Sequence, residues 1–145
     1  MTTTAQERAE KSAAAMWAND DASKWLGMEL VSVGPGTAVV RLKVAKHHTN
    51  GHDNCHGGII YALADSAFAF ACNSYNKITV AHHNSITYLV PGTLGDTLTA
   101  TAQEISVAGR SGIYDVSVTR DDGTVIAQFR GGSRIIKGTH FEEPQ

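Results

Sequence analysis

Apolar and polar residues alternate with period two between Ala38 and Val44: Val40, Leu42 and Val44 fall on one side, Val39, Arg41 and Lys43 on the other. This is the signature of a strand with one buried face. A preceding strand is predicted through Met28 to Val33, and Gly34, Pro35 and Gly36 join the two as a hairpin. From Gly57 to about Tyr75 the period changes. The segment has no proline or internal glycine beyond Gly58, is rich in alanine, and carries large apolar residues at nearly every helical angle. Such a helix needs other structure wrapped around it. Four more strands are predicted near Ile78–Val90, Thr93–Val107, Gly112–Thr119 and Thr124–Ile136, with breaks at Pro91 and Gly92, at Gly109, and at Asp121, Asp122 and Gly123.

An alanine-rich, charged stretch from Ala5 to about Ala18 predicts an N-terminal helix that frays at Asn19, Asp20 and Asp21. A short connection holding Trp25 and Leu26 follows, and the polar tail from Gly138 to Gln145 reads as loose. One apolar helix followed by an antiparallel meander gives an α+β domain over residues 1–145, a curved sheet around one long central helix. No internal repeat or low-complexity tract interrupts it.

Composition narrows the function. With 145 residues and 42% hydrophobic content the chain can build one real core. A formal charge of −2 from interspersed signs gives no electrostatic footprint for nucleic acid. The first dozen residues carry charges without an apolar signal core, and no later segment reads as a membrane span, so a cytoplasmic protein is expected. Cys55 and Cys72 are too few for a disulfide framework and are expected as reduced thiols.

The chemistry concentrates in GHDNCHGGIIYALAD, from Gly51 to Asp65. Unpaired N–H groups at a helix N-terminus favour negative charge, and glycines at Gly57 and Gly58 let a ligand approach them. Asp65 stands alone among Ile59, Ile60, Leu63, Ala64, Ala67 and Phe68, where burying a carboxylate is costly. An oxyanion site and a base are the two parts that acyl hydrolysis needs. His52, Asp53, Cys55 and His56 are competent metal ligands, but their spacing fits no usual structural site and no second cluster completes it, so no metal or other cofactor is expected.

The segments NGHDNCHGGIIYALADSAFAFACNS, PGTLGDTLTATAQ, GIYDVSV and FRGGS, in that order, resemble the hotdog-fold thioesterases, in particular the branch that hydrolyses phenylacetyl-CoA in bacterial phenylacetate degradation. The likeness runs from about Ala14 to Gly138. It implies a hotdog fold, dimers paired through their sheets and assembled into homotetramers, and hydrolysis of acyl-CoA thioesters. Matched onto this sequence, the catalytic carboxylate is Asp65, as base or nucleophile, and the carbonyl-polarising amide is that of Gly57; Asn50 places substrate or water, and His56 sits beside the amide. The stretch VAHHNS offers Ser85 as a holder of the attacking water without a firm match. Tyr61 and Phe68 are candidates for an aryl pocket, with core packing the commoner fate of such residues. For the CoA phosphates the candidates are Arg110 and either Arg130 or Arg134.

Spacing adds a constraint. Eight residues separate Gly57 from Asp65, about 12 Å along a helix axis, so one carbonyl cannot touch both. The site is therefore expected to be shared across a homodimer, Gly57 from one chain and Asp65 from the other. Two other functions are open to the same residues: a hydroxyacyl-thioester dehydratase or hydratase using His56 and Asp65, and a non-catalytic acyl-CoA-binding protein.

Overall fold

The computed structural model describes residues 2–144. Helix α1 spans Ala5–Ala18 and α2 spans Asp21–Trp25. Strands β1 (Glu29–Gly34) and β2 (Thr37–Lys43) precede the central helix α3 (Gly57–Cys72). Strands β3 (Thr79–Tyr88), β4 (Thr97–Ala108), β5 (Ser111–Thr119) and β6 (Val125–Ile135) follow it. All six strands form one antiparallel sheet in the order β1-β2-β4-β5-β6-β3. Strand β3 therefore closes one edge, although the chain makes it directly after α3.

Alternation decides which face receives the helix. Ala38, Val40 and Leu42 of β2, Leu98, Ala100 and Ala102 of β4, Val116 and Val118 of β5, and Phe129 of β6 are all buried on one side. Against them α3 buries Ile60, Leu63, Ala64, Ala67, Phe68, Phe70 and Ala71. The helix is thus enclosed, as its all-round hydrophobicity requires. Helix α1 covers the flank, bringing Trp17 to 6.1 Å from the Phe70 ring. The fold is that of a hotdog, α+β as the pattern predicted.

Several boundaries differ from the sequence reading for local reasons. The central helix stops at Cys72, not Tyr75, because Asn73 intervenes: its amide donates to the carbonyls of Ala69 and Thr79 and its carbonyl accepts from the Thr79 N–H. The expected fraying at Asn19–Asp21 is replaced by a cap, Asp20 accepting from the Ser23 N–H at 3.0 Å and starting α2. Strand β4 begins at Thr97, since Asp96 ties back to the N–H and hydroxyl of Thr93 in a turn. The tail read as loose is tethered in its described part. Asn76 accepts from the N–H groups of His140 and Phe141, and Arg8 pairs with Glu143 at 3.0 Å.

Gly131 of β6 lies directly against the Phe68 ring of α3. A Cβ there would lie 2.7 Å from three ring atoms of Phe68, which is fixed in the core against Tyr114 and Phe129. Gly131→Ala is expected to cost about 1–3 kcal/mol of stability through overpacking. Thermal unfolding checks this, and an unchanged Tm would show that the Phe68 ring can yield.

Candidate active site

The loop before α3 is built to hold its first turn. His48 is buried, its Nδ1 accepting from the Ala45 N–H and its Nε2 donating to the Leu26 carbonyl at 2.6 Å. Its own carbonyl accepts the His56 N–H, and Gly92 accepts the Cys55 N–H. Asn50 closes an Asx turn, its Oδ1 accepting from the N–H groups of His52 and Asn54. These bonds fix the chain on which Gly57 is presented.

His56 is the N-cap of α3, and its Nδ1 accepts the Gly58 N–H at 2.9 Å. This corrects the expectation for Gly58, whose amide is spent on the cap and is not presented to a ligand. The N–H groups of Ile59 and Ile60 both turn to the His56 carbonyl. Among the described residues the Gly57 N–H has no acceptor, and it sits where the helix dipole favours negative charge. Asn50, Cys55, Gly57, Ile60 and Tyr88 line a cavity of about 330 Å³ at this end of the helix. The Tyr88 hydroxyl donates to the Gly57 carbonyl at 2.8 Å, and its ring packs against the glycine, leaving little room for a Cβ.

Asp65 opens into another cavity, of about 290 Å³, with Asp20, Ser23, Met28, Ala62 and Ser66. Burial pushes its carboxyl above the usual carboxylate range, and a hydrogen bond from Asn84 Nδ2 to Oδ1, at 3.2 Å, draws it partly back. The same Nδ2 donates to the Tyr61 hydroxyl at 3.0 Å. Gly57, Tyr61 and Asp65 stand at i, i+4 and i+8, so they form one row along α3, facing edge strand β3. One end of the row carries a free amide and the other a carboxylate raised by desolvation.

Asn84 and Tyr88 are the β3 side chains that reach this row, whereas the sequence offers Ser85. A bulge between Ala81 and His83 resets the alternation of β3, after which Asn84, Ile86 and Tyr88 lie opposite Gly131, Phe129 and Ala127 of β6. Ser85 points the other way, beside Thr87, Asp115 and Arg130. The period-two set Asn84, Ile86 and Tyr88 was a usable signal.

Other candidates are dispersed. Phe68, expected in an aryl pocket, is 1% exposed and belongs to the core, because Tyr114, Phe129 and the bare Gly131 close around it. Tyr61 is half-buried, edge-on to Phe129. Arg134 lies opposite Val80, at the far end of β3 from Tyr88, roughly 26 Å along the strand, and Arg110 sits in the β4–β5 turn beside it. Arg130 is held by Asp115 in a bidentate pair. Among the described residues no three His, Cys, Asp or Glu side chains converge as a metal site. Burial pushes the thiol of Cys55 up to about 11 and that of Cys72 up to about 12, so neither is a ready nucleophile.

The segment that holds this helix and the strands after it matches a known family: the Thioesterase superfamily model covers residues 52–127. The chain belongs to that family. This thioesterase is 44% identical to acyl-coenzyme A thioesterase PaaI of Escherichia coli strain K12 over 132 residues, 91% of this chain and 94% of that one. The human acyl-coenzyme A thioesterase 13 is 33% identical over 104 residues, 70% of this chain and 74% of its own. The solved structure of the Escherichia coli PaaI protein from the phenylacetic acid degradation operon superposes with a TM-score of 0.92 at 43% identity, covering 94% of this chain and 99% of that chain. This thioesterase is thus a thioester hydrolase by family, and no helix among its described residues is long and apolar enough to cross a membrane.

The environment of Asp65 has a measurable cost. A carboxyl whose folded pKa lies above its unfolded value holds its proton more tightly when folded. Stability then falls as pH rises from the unfolded pKa through the folded one, and stays reduced above it. Asp65→Asn keeps an acceptor for Asn84 and removes that loss. The variant is expected to unfold at a higher temperature than wild type near pH 7, with the gap closing below about pH 4. Equal Tm values near neutrality would contradict the burial penalty.

Proposed function

We propose that this protein is an acyl-CoA thioesterase that hydrolyses phenylacetyl-CoA, or ring-hydroxylated phenylacetyl-CoA, to the free acid and CoA in the cytoplasm. The substrate class is carried over from the relative named acyl-coenzyme A thioesterase PaaI and the solved structure from the phenylacetic acid degradation operon. The chemistry rests on the row along α3, above all on the unpaired Gly57 N–H.

The row also supports a shared site. Gly57 and Asp65 each lie four residues from Tyr61, on the side of α3 that faces edge strand β3. A two-fold axis passing near Tyr61 and reversing the helix direction sets Gly57 of one protomer opposite Asp65 of the partner subunit. The two ends that lie about 12 Å apart in one chain then meet across the pair. Each homodimer has two such sites, and the homotetramer is a pair of these dimers. Arg110 lies beside Cys72 at the C-terminal end of α3, and Arg134 is next to it in the sheet opposite Ser111, so in this arrangement they serve the CoA phosphates from the protomer that supplies Asp65.

In the reaction the thioester carbonyl accepts a hydrogen bond from the Gly57 N–H, where oxyanion charge develops at the helix terminus. Asn50, on the wall of the same cavity, places substrate or water, and His56 keeps the first turn capped. Asp65 acts as base on water or as nucleophile on the carbonyl carbon. In the first route water's oxygen bonds to carbon, its proton passes to Asp65, the C–S bond breaks and the thiolate recovers the proton. In the second, the carboxylate displaces the thiolate and water hydrolyses the resulting anhydride.

The test is release of free thiol from phenylacetyl-CoA by wild type, Asp65→Asn, a Gly57→Val variant and a mixture of the two variants co-refolded. Each variant alone is expected to lose at least about a hundredfold in kcat. The mixture is expected to recover up to about a quarter of the wild-type sites, because half of its dimers are hybrid and each hybrid holds one intact site. No recovery from folded hybrid dimers would contradict the shared site, and full activity of Asp65→Asn would remove the carboxylate from the reaction.

A further inference from the structure

We propose that Asn84 is a positioning residue for the reacting carboxylate: its side-chain amide clamps Asp65 and Tyr61 into one fixed row at the edge of the sheet. This rests on the reading of Asp65 as base or nucleophile given above. Asn84 stands on β3 opposite Gly131 and points toward α3. One amide hydrogen goes to the Tyr61 hydroxyl at 3.0 Å and the other to Asp65 Oδ1 at 3.2 Å, so both donors of Nδ2 are committed to the row. Oδ1 of the carboxylate is thereby held, and Oδ2 is left for the chemistry.

The other half of the amide argues that this residue is not there for stability. Asn84 Oδ1 is buried and has no donor among the described residues. A buried orphan acceptor weakens the fold, and an apolar side chain of the same size would avoid it. A residue kept at such a cost in contact with Asp65 points to function.

The surroundings of Asp65 offer no substitute. The titratable groups that face it are Tyr61 and Cys72 of α3, Asp20 across the cavity at the start of α2, and Tyr88 of β3 beyond Tyr61. None of these is a cation. Only Asn84 favours the charged form against desolvation. Without it the carboxylate loses both its orientation and its support as an anion.

The test compares wild type with Asn84→Leu and Asn84→Ala by thermal unfolding, by 13C NMR titration of the Asp65 carboxyl and by pH profiles of thiol release from phenylacetyl-CoA. Asp65→Asn assigns the carboxyl resonance and serves as the control for the reading beneath. In at least one folded variant the Asp65 midpoint is expected to move to higher pH, and the acid limb of kcat/KM to move with it. At the plateau kcat is expected to fall roughly ten- to a hundredfold, with KM changed less than about twofold. In acid, below about pH 4, where Asp65 is protonated, the Leu variant is expected to unfold no earlier than wild type. An unmoved Asp65 midpoint with unchanged kcat would overturn the clamp while leaving Asp65 in the mechanism. A fall in Tm in both variants that alone accounts for the lost activity would make Asn84 a structural residue and overturn it equally. Full activity of Asp65→Asn would instead show that the underlying reading has failed.

Discussion

A helix that is apolar around almost its whole circumference must be enclosed, and the rest of this protein is arranged by that requirement. Five strands curve over α3 and bury its larger side chains, with β3 completing the sheet at one edge. Enclosure is not complete. Gly57, Tyr61 and Asp65 remain half-buried along the strip that faces β3, so the same helix that forms the core also presents the candidate site. Rigidity follows directly, because a site on a packed helix moves only if the core moves.

The two ends of that strip are electrostatically different for independent reasons. At Gly57 the charge preference comes from backbone geometry, an amide with no acceptor among the described residues at the end of aligned peptide dipoles. At Asp65 it comes from partial removal of water, which weakens the anion and raises its affinity for a proton. One end favours negative charge, and the other holds a carboxyl whose affinity for a proton is raised. The family to which the chain belongs works on thioesters, whose hydrolysis uses both properties.

Much of this was legible in the sequence because it depends on strict periodicities. Alternation at Val40, Leu42 and Val44 located a strand face, and the unbroken apolar run after Gly57 located the enclosed helix. The glycine pair and the lone Asp65 stand out in the sequence as candidates, and the structure commits the Gly58 amide to the His56 cap. What escaped depended on contacts between distant segments. Asn84 reaches Asp65 only because a bulge resets β3, and one residue of shift is enough to exchange Asn84 for Ser85. Phe68 is legible as apolar, with core as its commoner fate; what the sequence lacks is the enclosure by Gly131 and Tyr114 arriving from β6 and β5. The tail was read from its polarity, while its tether is set by Asn76 and Arg8, far away in sequence.

The arginines show the same limit from the other side. Arg110 and Arg134 lie at the end of the sheet away from Tyr88 and Gly57, a placement set by strand register that spacing in the sequence does not display. The most direct measurement is a crystal structure of the protein with a CoA ketone analogue of phenylacetyl-CoA, in which a methylene replaces the thioester sulfur. The account predicts the analogue's carbonyl oxygen within hydrogen-bond distance of the Gly57 N–H of one protomer, with the carboxylate of Asp65 of the partner subunit facing the carbonyl carbon. A carbonyl bound away from Gly57, or faced only by groups of a single chain, would contradict it.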